Sequence, residues 1–111
     1  MSQEFKISKE LASLIDNVVK KFPSNRKRSA VIESLLILQH DNHGYVTKDI
    51  IKALSNYLSV SEIDIYEVAT FYTMINVAPV GKNVIAVCNN VSCMLRGSDE
   101  ILTHIEQKLK I

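Results

Sequence analysis

The stretch Val84-Ile85-Ala86-Val87-Cys88-Asn89-Asn90-Val91-Ser92-Cys93 joins an unbroken apolar run to the only two cysteines of the chain. An apolar run with no polar alternation reads as a strand covered on both faces. A thiol at the end of that strand, and a second in the turn that follows, present two sulfurs to one soft metal centre. Only eighteen residues follow Cys93, whereas an iron-sulfur cluster of the 2Fe-2S type takes four protein ligands. The pattern accounts for two ligands, not four. On the cysteines alone, a ligand role stands beside buried inert thiols or an opportunistic disulfide.

Downstream, Cys88 to Gly97 reads as a loop. Ser98 is placed to cap a last helix that carries Asp99 and Glu100 in its first turn, with Ile101, Leu102, Ile105 and Leu109 as one buried stripe. Upstream, Pro79 and Gly81 mark the break from what precedes. A single strand cannot make a sheet, because its ladder groups need partners. The segment from 79 to 111 therefore reads as the opening of an α/β unit.

The residues before it follow a helical period. Ile7, Leu11, Leu14, Ile15, Val18 and Phe22 share one face of a first helix, which Pro23 ends. A second helix is expected from Arg26 to His43, with Val31, Leu35 and Leu38 beside Ile32 and Leu36, and Gly44 in the left-handed stop position. Thr47 caps a third, whose Ile50, Ile51, Leu54, Tyr57 and Leu58 line one face. Ser61 and Asp64 form a capping-box pattern before a fourth, with Ile65, Val68, Ala69, Tyr72 and Ile75 in register. The expected fold is α+β and mostly helical: a four-helix N-terminal region, residues 1–78, then strand, cysteine loop and helix in residues 79–111.

Composition fits one ordinary domain. With 111 residues, 47% hydrophobic and 23% charged, the chain buries roughly two-thirds of its unfolded surface without needing staples. Two cysteines make no disulfide framework, and the polar opening Met1 to Glu10 resembles neither a secretory signal nor a transit peptide, so a reducing cytoplasm is expected. No apolar stretch approaches the roughly 20 residues needed to span a bilayer. The net charge of +1 conceals a gradient: seven Lys or Arg against three acids in residues 1–28, then two against six in residues 29–76. Arg26-Lys27-Arg28 reads as a solvated helix start or as a docking patch for an acidic partner.

Several ordered motifs now carry a specific resemblance. Tyr66-Glu67-Val68-Ala69-Thr70-Phe71-Tyr72-Thr73-Met74, Pro79-Val80-Gly81-Lys82, Cys88 and Cys93, and Leu95-Arg96-Gly97-Ser98 together resemble the small thioredoxin-like 2Fe-2S subunit of NADH-quinone oxidoreductase, the one designated E in respiratory complex I. Ser29-Ala30-Val31-Ile32 is similar to that family's pattern as well. The resemblance implies a helical region before a thioredoxin-like cluster domain, with Cys88 and Cys93 as cluster ligands. It implies a second cysteine pair beyond Ile111; the two further ligands that a stable cluster needs are expected from a missing C-terminal fragment or, in a homodimer, from a second copy. It further implies NADH and flavin mononucleotide on a neighbouring larger subunit that trades electrons with the cluster. The expected location is cytoplasmic, peripheral on the inner face of the membrane through the complex, with no direct membrane insertion. Between the cysteines the family often has Thr and Pro where this chain has Asn89, Asn90, Val91 and Ser92, a change bearing on amide hydrogen bonds to sulfur. Arg96 and the helix start at Ser98 are expected to favour ionised sulfur.

Other constellations read as structural. His40 and His43 stand one turn apart near a helix end, where histidine is favoured without a metal. Phe71, Tyr72 and Met74 read as core. Val46 to Met74 has the spacing of a helix-turn-helix DNA reader, but its second helix opens with Glu62, Asp64 and Glu67 and has no Lys or Arg before Lys82, so it repels phosphates. No nucleic-acid partner is expected. The remaining alternative is a non-catalytic assembly or scaffold remnant that keeps the helical docking surface.

Overall fold

The computed structural model describes residues 4–111. Met1 to Gln3, which open the expected N-terminal region, lie outside the described residues. The chain separates into two compact units, the first running to Val80 and the second spanning Gly81–Ile111.

The first unit is built from α1 (Lys9–Val19), a 3-10 turn (Lys27–Ala30), α2 (Val31–Asp41), α3 (Lys48–Leu58) and α4 (Glu62–Phe71). Three starts are capped by hydroxyls that accept backbone N–H groups: Ser8 from Leu11, Thr47 from Ile50 and Ser61 from Asp64. Helix α1 stops at Val19, short of Pro23, because Lys21 and Phe22 bond back three residues to Val18 and Val19 and tighten the last turn. Helix α2 starts later than the sequence suggests. Arg26 has φ −123° and ψ 35°, outside helical space, and its N–H bonds to Pro23 C=O, so the basic run forms the 3-10 turn instead. Arg28 leans onto α4, 3.5 Å from Asp64 and 3.8 Å from Glu67.

Leu11, Ile15, Val31, Leu35, Leu38, Val46, Ile50, Ile51, Leu54, Leu58, Ile65, Ala69 and Ile75 form one buried cluster. Helix α1 packs on α2, α2 on α4, and α4 on α3. Two members of the expected stripes, Leu14 and Tyr57, face outward; the Tyr57 hydroxyl donates to Asp16 Oδ1 at 2.6 Å and so ties α3 to α1. Donating to a carboxylate holds that phenol above its ordinary pKa.

The end of α2 differs from expectation in an instructive way. His43, not Gly44, takes the first left-handed position at φ 59°, and the Gly44 N–H then bonds to Gln39 C=O at 2.9 Å. Gly44 is also left-handed at φ 95°, and a Cβ there would stand 3.2 Å from Val80 Cγ2. A polar clasp fixes the chain leaving α4 to this corner. Gln39 donates to Met74 C=O and accepts from the Asn76 N–H; Asn76 donates its amide to Gly44 C=O and, through its own C=O, accepts from the Val46 N–H at 2.7 Å.

The second unit holds α5 (Val91–Leu95) and α6 (Ser98–Leu109), which pack on each other. Among the described residues there is no strand, which corrects the β part of the expected fold class. Val84 is 64% exposed and Ile85 57%, so the run expected to be covered on both faces is open instead. The reason is the one that makes a lone strand untenable: no described segment pairs with it to satisfy its ladder groups. The stripe of α6 is open too, with Ile101, Leu102 and Leu109 exposed and Ile105 half-buried. Gly97, left-handed at φ 101°, precedes α6 and places Ser98 inside its first turn rather than at the cap position expected of it.

Truncating Leu54, fully buried at the centre of the cluster, removes both its transfer energy and its packing. The Leu54→Ala variant is expected to lose about 2–5 kcal/mol in urea unfolding followed by far-ultraviolet circular dichroism. A loss under about 1 kcal/mol would contradict the packing described.

Candidate metal centre

Cys88 ends the open apolar run, and Cys93 is the third residue of α5, so the expected cysteine loop contains a helical turn. Asn90 creates that turn. Its backbone is extended at φ −67° and ψ 169°, its side chain accepts from the Val91 N–H at 2.8 Å, and its C=O accepts from the Met94 N–H at 2.8 Å. The chain leaves α5 through Gly97, whose N–H bonds to Met94 C=O at 3.1 Å.

Both thiols are free and exposed. The Asn90 backbone N–H donates to the Cys88 sulfur, and the Cys93 thiol adds a second donor, which together hold Cys88 below the ordinary thiol pKa. Cys93 is pushed up by the same bond and by the charge on Cys88. Of the two, Cys88 is thereby the readier to ionise. The positive charge of Arg96, expected from the sequence to favour ionised sulfur, is not among the causes of these shifts. The effect originates in the Asn89-Asn90 turn, where the chain departs from the pattern of the family it resembles.

No group of three or more His, Cys, Asp or Glu side chains that could enclose a metal exists among the described residues. His40 and His43 join no such group. Phe71 packs edge-on against Tyr72 with ring centroids 5.1 Å apart, but it is 76% exposed, and Met74 is 53% exposed. Those two therefore lie on the surface and not in the core expected for them.

Comparison with known proteins gives this geometry its setting. Residues 15–111 match the family model of the thioredoxin-like 2Fe-2S ferredoxin. The chain belongs to that family. A Rickettsia bellii subunit of NADH-quinone oxidoreductase, the one designated E, is 43% identical over 107 residues, covering 96% of this chain and 64% of the relative. Its namesake from Rickettsia prowazekii is 41% identical, covering 96% of this chain and 60% of the relative. In Rhizobium meliloti, the NADH-quinone oxidoreductase subunit designated E 2 is 40% identical over 85 residues, which cover 77% of this chain and half of that protein. The chain therefore spans less than two thirds of the length of these curated relatives.

Against a 2Fe-2S cluster, which takes two protein ligands on each iron, the residues present fit one half. Two free, exposed thiols separated by four residues on one short turn are suited to a single iron. Gln39 and Asn76, which fix the exit from the helical unit, gave no signal in the sequence, since neither belongs to an apolar period or a metal-ligand pattern.

The opposed shifts of the two thiols have a measurable consequence. Iodoacetamide labelling followed by peptide mapping across pH should show Cys88 reacting from lower pH than Cys93, with the gap closing in urea. Identical profiles in the folded chain would contradict the hydrogen bonding described. Because the two sites titrate together, the profiles report the pair rather than two independent groups.

Proposed function

We propose that the chain is the helical region and first cluster half-site of an electron-transfer subunit of the NADH-quinone oxidoreductase type. The carrying observation is the pair of free, exposed thiols Cys88 and Cys93 on one short turn in a chain of the 2Fe-2S family, with relatives named for that oxidoreductase. Residues 79–111 are, in this reading, the opening of the thioredoxin-like domain, and 1–78 the helical region before it.

Cys88 and Cys93 would hold one iron as thiolates. Cys88 is prepared for this by the Asn90 N–H, and Cys93 gives up its proton on binding. When bound, the cluster supplies one-electron storage and transfer; the amide donor to sulfur raises the potential at which it accepts that electron. The open faces of Val84, Ile85, Leu102 and Leu109 would be covered by the remaining part of the domain, carrying the second cysteine pair. NADH and flavin mononucleotide belong, on this proposal, to a larger partner subunit, and the chain associates with the inner face of the cytoplasmic membrane through that complex. None of the described helices is long and apolar enough to cross a membrane.

The helical unit, with a buried cluster of its own, also suits the reading as an assembly or scaffold piece without electron transfer. The DNA-reading alternative draws no support from the relatives' names, and α4 carries Glu62, Asp64 and Glu67 with no Lys or Arg.

Anaerobic reconstitution decides between the readings. The 111-residue chain as a monomer is expected to lose iron and sulfide on gel filtration without added thiols, because two thiolates leave half the coordination to solvent. Supplying the segment that bears the second cysteine pair should restore a stable cluster with an electron paramagnetic resonance signal after reduction. Cys88→Ser or Cys93→Ser should then abolish it. A monomer that retains two irons and two sulfides would refute the half-site, and failure of the supplemented chain to bind any would favour the scaffold reading.

A further inference from the structure

Helix α2 is apolar over a wider arc than its packing uses. Val31, Leu35 and Leu38 lie in the core, whereas Leu36 and Ile37 beside them are only half-buried. Those two, with Leu11 and the 50%-exposed Leu14 of α1, floor a cleft of about 460 Å³ between the two helices. Volumes of roughly 300–1,000 Å³ hold ligand-sized apolar groups. The walls carry charge of one sign. Glu10 of α1 and Glu33 and Asp41 of α2 line the cleft, and apart from His40 no basic side chain does. Lys21 reaches Glu33 Oε1 at 2.6 Å, whereas Glu10 and Asp41, both exposed, have no ion pair among the described residues. One open carboxylate therefore stands on each helix. We propose that the cleft between α1 and α2 is a docking site for an amphipathic helix of a partner protein, one that carries Lys or Arg on both flanks of its apolar stripe.

Charge and backbone both select this occupant. A carboxylate on either wall attracts Lys or Arg and repels an acidic segment or an anionic amphiphile. The cleft lies between helix faces, whose N–H and C=O groups are used within the helices, so an extended peptide finds no ladder to join. A helix brings its own backbone bonds and sets side chains at i, i+3 and i+4 between α1 and α2. The Lys21–Glu33 pair already places one ammonium group on this rim. A second copy of this chain is a poorer match. Its exposed stripe on α6, with Ile101, Leu102 and Leu109, comes with Asp99, Glu100 and Glu106 against Lys108, and sets acid against acid. Covering Leu14, Leu36 and Ile37 drives the docking, and the carboxylates fix its orientation and the choice of partner. The surface belongs to the helical unit and does not rest on the cluster reading, so the loss of either leaves the other standing.

The full chain, isotope-labelled for magnetic resonance, is titrated with an end-blocked peptide of Leu and Lys, about fifteen residues long and patterned as an amphipathic helix with lysines flanking the leucine stripe. Amide shifts are expected to centre on Leu14, Leu36 and Ile37, with affinity falling as salt is raised. The same peptide with Glu in place of every Lys should bind at least about tenfold more weakly. A similar loss is expected when the Leu/Lys peptide meets the Glu10→Gln, Asp41→Lys double variant. Both positions are exposed, so the urea midpoint of that variant should stay close to that of the parent chain. Leu14→Gln removes part of the apolar floor at an exposed site and should weaken the Leu/Lys peptide at every salt concentration. Shifts centred on Val84, Ile85 and Leu102 instead of the cleft, equal affinity for the acidic peptide, absence of binding, or an unchanged affinity in the double variant would overturn the proposal. A peptide-free dimer at sedimentation equilibrium that Leu14→Gln dissociates would overturn it too, by showing that a second copy covers the cleft.

Discussion

Apolar burial holds the first unit together, and it ends before the cysteines begin. Every buried apolar side chain among the described residues lies at or before Ile75, and from Gly81 onward Ser98 alone is buried. Each fully buried Leu, Ile or Val contributes about 1.5–3 kcal/mol, so the helical unit has a driving force that the second unit lacks. The hydroxyl left buried without a partner at Ser98 adds a cost rather than a gain. What positions the thiols is therefore local: the Asn90 cap, the short helix that follows, and the left-handed Gly97.

This division explains how much was legible in the sequence. Helices α1 to α4 were readable because their apolar residues recur at helical spacing and meet one another within this chain. Ser61 and Thr47 announced their helices because a hydroxyl before an apolar stripe has one common use. Val84 to Val87 misled for the same reason in reverse. Its composition records a burial that this chain does not provide, and a strand is a property of a pair rather than of a segment. The stripe of α6 carries the same record, with Leu102 and Leu109 still facing outward.

Polar detail was the least legible. Gln39 and Asn76 stand 37 residues apart and close a clasp whose members look like ordinary surface amides in sequence. Gly44 is left-handed as expected, but His43 before it is left-handed too, which the sequence did not announce. At the thiols, the spacing of Cys88 and Cys93 was a clear signal, but the donor to sulfur was not. A backbone N–H has no residue type, so only the turn made by Asn90 reveals it. Membership of the thioredoxin-like 2Fe-2S ferredoxin family gives these observations one setting: the exposed apolar residues of the second unit and its two free thiols lie within the residues that the family model matches.

Native-state hydrogen exchange tests the central claim, that only the helical unit carries a core of its own. Residues such as Leu35 in α2 and Leu54 in α3 should release their amides only through global unfolding, while the amides of α6, from Ser98 to Leu109, should exchange through local opening at far lower free energy. Protection in α6 equal to that of Leu54, in a chain shown to be monomeric, would contradict the account.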